Sequence, residues 1–79
     1  MAKPEKIDVH LDCRGLSCPL PILKTKKEIN KMSTGQVIEV ISTDPGSEAD
    51  FKGWSSQTGN PLLHNEHVGD DYFYFIEKA

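Results

Sequence analysis

The chain has 79 residues, of which 37% are hydrophobic and 27% charged, and its formal net charge is −3. This size leaves room for one small domain, here residues 1–79, and this composition excludes a fibrous or disordered chain. The longest apolar run, residues 72–76, is far below the roughly 20 residues of a membrane span, and the N-terminus lacks the apolar segment of a signal peptide. We therefore expect a cytoplasmic monomer with no membrane partner.

The charges are unevenly distributed along the chain. Residues 1–31 hold seven of the nine basic residues and four acidic ones, whereas residues 32–79 hold two basic and eight acidic ones. Opposite charge on two parts of the surface favours docking on a protein partner, with two ordinary solvated surfaces as the alternative interpretation. Direct nucleic-acid binding, which favours a strongly basic domain, is not indicated.

The first half of the chain predicts a strand and a helix. In KIDVHLDC, residues 6–13, apolar side chains and Cys13 alternate with polar ones, which predicts a strand with one wet face and a sheet covered on one side. Farther along, apolar and small side chains recur at spacings of three and four opposite a row of lysines, which predicts an amphipathic helix that Gly35 ends. The positions expected to face the core are Ile22, Thr25, Ile29 and Met32.

The second half predicts an inner strand, a helix and a terminal hairpin. Residues 36–43 are rich in β-branched side chains and should run parallel to the first strand. DPGSEADF should open the second helix with Asp44 or Ser47 as N-cap, and TGN before Pro61 should close it. Residues 62–68 and 72–78 should form a hairpin. This βαβαββ order predicts an α/β (α+β) two-layer sandwich, in which two helices cover one face of a four-stranded mixed sheet.

Cys18 stands directly before two prolines at the predicted start of the first helix. A helix tolerates proline only in its first turn, so Cys18 should be the N-cap, with Pro19 at the first helical position and Pro21 at the third. The sulfur would then face the positive end of the helix and the free N–H groups of Leu20 and Ile22. Thiols in such positions have lowered pKa values. We therefore expect Cys18 to be a reactive thiolate at neutral pH.

The two cysteines are too few for a disulfide framework and are expected to be free thiols. The polar approach RGLS, with Gly15, favours an exposed Cys18; a small side chain filling a loop is the alternative. Cys13 continues the buried phase of the first strand and should be a core thiol. A thiol–disulfide switch between Cys13 and Cys18 is a further alternative, although their spacing is not that of a redox motif.

Basic residues lie close to Cys18 in the sequence, where they would steer an acidic partner or help to hold an anionic sulfur, with a solvated helix face as the alternative. They are Arg14, Lys24, Lys26, Lys27 and Lys31. No metal site is expected. His10 falls on the wet face of the first strand, and His64 and His67, three residues apart in one strand, should point to opposite faces.

Three stretches together resemble the TusA family, also called the SirA or YedF-like family. They are LDCRGLSCPLPILKTKKEI with its Cys-Pro-x-Pro signature, STDPGSEADF after the second strand, and the aromatic last strand. The resemblance extends from about residue 7 to residue 77. It implies a βαβαββ two-layer sandwich and a sulfurtransferase that carries sulfur as a persulfide on a cysteine, without a cofactor.

The resemblance also implies partners and residue roles. The persulfide would lie on Cys18, Pro19 and Pro21 would shape the helix, and Asp44 would contact a partner. A cysteine desulfurase or a rhodanese-like protein would donate the sulfur, and an acceptor protein would receive it. Members of the family serve 2-thiouridine formation in tRNA, molybdenum cofactor biosynthesis or dissimilatory sulfur oxidation. The alternative function is a non-enzymatic interaction or regulatory module for which Cys18 is incidental.

Overall fold

Six elements follow one another in a computed structural model that describes residues 3–79. They are β1 (Val9–Cys13), α1 (Leu20–Ile29), β2 (Val37–Ser42), α2 (Ser47–Thr58), β3 (Leu62–Val68) and β4 (Asp71–Glu77). The predicted βαβαββ order is confirmed, and the strand ends differ from the expected ones by a few residues at most.

The four strands form one mixed sheet in the order β1-β2-β4-β3. β1 and β2 are parallel and are joined through α1, whereas β4 is antiparallel to both of its neighbours. Cys13 at the end of β1 lies opposite Ser42 at the end of β2. Because the two strands are parallel, the loops that follow them leave the sheet at the same edge.

The hydrophobic core lies between the sheet and the two helices. Tyr74 of β4 stacks on Phe51 of α2 with ring centroids 4.5 Å apart, and its hydroxyl is 2.6 Å from Ser47 Oγ. Of the four positions predicted to face the core, Thr25 and Ile29 in α1 and Met32 just after it are buried, and Ile22 is half-buried. The fully buried side chains of the core include Cys13, Ile29, Ile38, Val40, Phe51, Tyr74 and Ile76.

The opposite face of the sheet is less open than the alternation predicts. Phe75 follows Tyr74 in β4 and therefore points away from the helices, yet it is fully buried. The ammonium group of Lys3 lies 5.2 Å from the centre of its ring, so the segment before β1 covers part of this face. His10 is exposed there as expected, and its Nδ1 lies 2.9 Å from Glu39 Oε1.

The start of each helix differs from the prediction. α1 has Pro19, rather than Cys18, as its N-cap, and α2 has Gly46, rather than Asp44 or Ser47. In α2 the reason is tertiary, because the Ser47 side chain turns inward to Tyr74 and so does not cap the helix.

The end of α2 agrees with the prediction and the end of α1 does not. Gly59 closes α2 in the left-handed conformation, with φ of +77°. α1 ends at Ile29 with Asn30 as C-cap, and Gly35 instead occupies the turn before β2, where the Gln36 N–H donates to the Ser33 carbonyl. Within residues 3–79, neither helix is long and apolar enough to cross a membrane.

Candidate functional site

Two loops meet at the sheet edge where β1 and β2 end, and hydrogen bonds join them. The Gly15 N–H donates to Thr43 Oγ1 at 2.9 Å, and the Cys18 N–H donates to Asp44 Oδ2 at 2.9 Å. Gly15 has φ of +81°, a conformation that a side chain would strain, so this glycine shapes the loop. The backbone at Cys18 is therefore fixed by the β2–α2 loop.

Asp44 is the central residue of this connection. Its second carboxylate oxygen accepts the Gly46 N–H at 3.0 Å, and its own N–H donates to Ser42 Oγ at 3.1 Å. Both oxygens of the carboxylate are thus engaged within the protein. Asp44 positions the Cys18 loop, and its expected contact with a partner stays a prediction.

Cys18 lies one residue before the N-cap of α1, so its predicted place as N-cap is wrong. Pro19 takes that position, and Pro21 lies at the second helical position rather than the third, where it is buried. The Leu20 N–H donates to the Ser17 carbonyl at 2.9 Å, so that donor is engaged by the loop rather than by the sulfur. The Cys18–Pro19 peptide bond is cis.

The Cys18 side chain is exposed, but the prediction of a lowered thiol pKa is wrong. The pKa is raised, first because the Asp50 carboxylate accepts a hydrogen bond from the thiol, then by desolvation and by the negative charges of Asp50 and Asp44. Each of these effects favours the neutral thiol over the thiolate. At neutral pH the free protein therefore holds Cys18 mainly as the thiol.

Asp50 is a site residue that the sequence reasoning missed. It lies in the first turn of α2, where an acidic side chain is favoured by the helix dipole whatever its other contacts. No local pattern shows that this turn packs beside the start of α1. The Asp-Pro turn after β2 is the one feature of the sequence that could have indicated the position of Asp50, because this turn brings the start of α2 to the same sheet edge as Cys18.

An open groove between α1 and α2, called here the Cys18 groove, contains the sulfur. Its volume is about 360 Å³. Apolar side chains form most of the wall, and one carboxylate, that of Asp50, lies among them. The lining residues are Cys18, Pro19, Ile22, Ala49, Asp50, Gly53, Trp54 and Gln57. A second molecule can reach the sulfur through this groove.

Cys13 differs from Cys18 in its accessibility. It is fully buried, as predicted, and burial raises the pKa of its thiol. Both cysteines are free thiols. A disulfide between them would require Cys13 to leave the core.

The structure does not gather the predicted basic residues around the sulfur. Arg14 donates through Nε and a terminal nitrogen to the two oxygens of Asp12, at 3.0 and 2.9 Å. This pairing lowers the pKa of Asp12 to about 2 and raises that of Arg14. Lys26 is exposed. The other lysines line a separate hollow of about 200 Å³, whose residues are Leu11, Lys24, Lys27, Glu28 and Lys31.

The histidines lie apart, as the strand period predicts. His64 pairs in register with Phe75 and His67 with Tyr72, so the two point to opposite faces of the sheet. Within residues 3–79, no group of three or more His, Cys, Asp or Glu side chains could hold a metal ion.

Fold and site together define a small α+β protein that presents one accessible cysteine in a groove at the edge of a parallel strand pair. Comparison with known proteins identifies the family. A family model described as Sulfurtransferase TusA matches residues 9–78, and the chain belongs to that family. Sulfur transfer in a relay is accordingly its general role.

Individual relatives agree with this assignment. The chain is 50% identical to the sulfur carrier protein TusA of Allochromatium vinosum over 91% of this chain and 95% of that one. It is 42% identical to the putative sulfur carrier protein YrkI of Bacillus subtilis, over 94% and 99%. A putative sulfur carrier protein of Aquifex aeolicus is 49% identical over 94% of this chain but only 38% of its own greater length.

A solved structure supports the fold. The SirA-like protein of Desulfitobacterium hafniense superimposes with a TM-score of 0.78, covering 89% of this chain and 96% of that one, at 20% sequence identity. The predicted two-layer sandwich with a mixed sheet is therefore confirmed by the architecture and by this neighbour.

Proposed function

We propose that the chain carries sulfane sulfur as a persulfide on Cys18 and passes it from a donor protein to an acceptor protein. The observation that carries the proposal is the contrast between the two thiols. Cys18 is exposed in an open groove with its backbone fixed by Asp44, whereas Cys13 is sealed in the core. The names of the relatives, which are sulfur carriers, support the same role.

Loading would begin with attack of the Cys18 sulfur on the outer sulfur of the donor's persulfide. A new S–S bond forms to Cys18, the S–S bond of the donor breaks, and its electron pair leaves with the donor's thiolate. The proton lost by Cys18 neutralises that thiolate through the solvent. Delivery repeats the step with an acceptor nucleophile as attacker and the Cys18 thiolate as leaving group. No net oxidation or reduction occurs.

The donor in this proposal is a cysteine desulfurase or a rhodanese-like protein. The sulfur would serve 2-thiouridine synthesis in tRNA or dissimilatory sulfur metabolism. In either case the acceptor is a protein, so the carrier itself needs no nucleic-acid surface, which agrees with its acidic balance of charge.

The test is mass spectrometry of the protein after incubation with polysulfide, with thiosulfate, or with a cysteine desulfurase and cysteine. The expected result is a gain of one sulfur atom on the peptide that contains Cys18, removed by a reductant and absent in Cys18→Ser. Cys13→Ala is the matched control and should still load. Failure of every donor to modify a Cys18 that still reacts with an alkylating agent would overturn the proposal.

A further inference from the structure

The carboxylate of Asp50 forms no ion pair within the part of the chain that the structure describes. Its neighbour Glu48 is paired with Lys52 at 3.1 Å, and Asp12 is paired with Arg14. The Asp50 carboxylate instead contacts the Cys18 thiol inside the groove. Among residues 3–79, the negative charge of Asp50 in the groove therefore has no cationic side chain as its partner.

The walls around this carboxylate are mostly apolar, with Gln57 as the other polar side chain of the lining. Ile22 and Trp54 are half-buried, and Pro19 and Ala49 complete the apolar lining of the groove. A long basic side chain has a matching structure, since its methylene stem packs on apolar surface while its charged head reaches a carboxylate. The ring of Trp54 offers a further surface on which a cation is attracted. The opening is wide enough for such a side chain to enter from solvent.

We propose that the Cys18 groove is a docking surface for an arginine or lysine side chain of the protein that exchanges sulfur with this carrier, and that Asp50 selects that side chain. The identity of the partner as a sulfur donor or acceptor rests on the proposed function. The basic hollow along α1 is lined by other residues and would face a different, acidic part of a partner. The two surfaces together give the carrier a defined orientation when it docks.

Docking of a cation also changes the chemistry of the sulfur. The Asp50 charge favours the neutral thiol in the free protein. A guanidinium or ammonium group that pairs with Asp50 removes this effect and adds a positive charge near the sulfur, which favours the thiolate. The nucleophile is then generated in the complex rather than in solution.

Three short peptides test the docking surface without any sulfane sulfur. They are identical except for one residue close to a central cysteine, which is arginine, glutamine or glutamate, and the cysteine is a mixed disulfide with thionitrobenzoate. The Cys18 sulfur attacks the cysteine sulfur of the peptide and forms a disulfide with it. The bond to thionitrobenzoate breaks, and this group leaves with the electron pair as a coloured thiolate, while the Cys18 proton passes to the buffer.

We expect the arginine peptide to react roughly 3- to 10-fold faster than the glutamine peptide at low salt, and the glutamate peptide to be slowest. This size of effect is that of one unit charge on the peptide interacting with the Asp50 carboxylate at a distance of a few ångströms. Added salt should reduce these ratios. Asp50→Asn should abolish the preference, and Asp50→Ser is a second variant should the first fold poorly. Asp70→Asn is the matched control, because it removes a charge from the exposed turn between β3 and β4. This variant should keep the preference for the arginine peptide.

Equal rates for the three peptides with the unmodified protein would overturn the docking surface. So would an arginine preference that survives in Asp50→Asn. The result does not depend on persulfide formation, so the two proposals fail separately. A chain that prefers the arginine peptide yet takes up no sulfur would overturn the proposed function and support the docking surface.

Discussion

Cys18 combines an exposed side chain with neighbours that keep its proton in place. The sequence predicts the exposure from the RGLS loop and the prolines, which set the start of α1 to within a residue. It does not predict the state of the thiol, because Asp50 is brought to the sulfur by the packing of α2 against α1. The helix end alone would favour the thiolate, but the Asp50 carboxylate of the neighbouring helix favours the neutral thiol.

The pH dependence of Cys18 alkylation follows from these neighbours. Because carboxylates raise the pKa of the thiol, its reaction with iodoacetamide should be slow at pH 7 and should still be rising steeply above the ordinary pKa of a thiol. Asp50→Asn removes the first cause and should shift the whole profile to lower pH. Rates measured from pH 6 to 11, with modification located by peptide mass spectrometry, check this. A profile that already levels off near pH 7 would contradict it.

Asp44 should affect both stability and the order of the Cys18 loop. Asp44→Ala removes the acceptor of the Cys18 N–H and of the Gly46 N–H. Hydrogen bonds to a charged group contribute more than neutral ones, so the free energy of unfolding should fall by about 1–3 kcal/mol. Urea denaturation measures this loss, and faster amide exchange at Cys18 would show that the loop has loosened. Asp70→Ala is the control for loss of charge alone and should leave both quantities unchanged.

At the scale of the elements, periodicity predicted the buried faces of the strands and helices, which long-range packing reinforces. The N-caps of the two helices were not predicted correctly, because contacts from other elements change them. The alternation in β1 and the three-and-four spacing in α1 gave the buried faces correctly, including Cys13 and Thr25. The caps were less predictable, because a side chain that can cap a helix can also bond elsewhere. Ser47 bonds to Tyr74, and Asp44 bonds to the loop that holds Cys18. Local sequence does not show which of these bonds forms.

Two glycines of α2 should respond in opposite directions to substitution by alanine. Gly59 ends the helix with φ of +77°, a conformation that alanine adopts only with strain, so Gly59→Ala should lower the free energy of unfolding by about 1 kcal/mol. Gly53 lies inside the helix, and an added Cβ would have no atom within 4 Å apart from the adjacent residues and the backbone of its own helix, so Gly53→Ala should raise the free energy of unfolding by about 0.5–1 kcal/mol. Thermal or urea unfolding of both variants checks the pair. Changes of the same sign would contradict the assigned helix boundary.

At the scale of the whole molecule, one small core supports both the fold and the site. A domain of this size has a free energy of unfolding of roughly 4–12 kcal/mol, so a single central side chain is a large part of it. Phe51 joins α2 to β4 through its stack on Tyr74, and α2 carries one wall of the Cys18 groove. Loss of core packing at this point therefore disturbs the sulfur site as well.

Phe51→Ala should lower the free energy of unfolding by about 3–5 kcal/mol, because it leaves a cavity under the centre of α2. Leu23→Ala is the matched control, since this apolar side chain of α1 is 53% exposed, and its effect should stay within about 0.5 kcal/mol. Urea denaturation followed by tryptophan fluorescence measures both. Similar losses in the two variants would mean that Phe51 does not anchor α2.

The burial of Cys13 has a consequence for stoichiometry. Two chemically identical thiols occur in the chain, but only Cys18 can meet another molecule while the fold is intact. In the proposed relay, each folded chain would therefore offer a single loading position, and the sulfur atoms carried, one at each position, could not outnumber the chains. Packing around Cys13, rather than any difference in thiol chemistry, sets this one-to-one ratio.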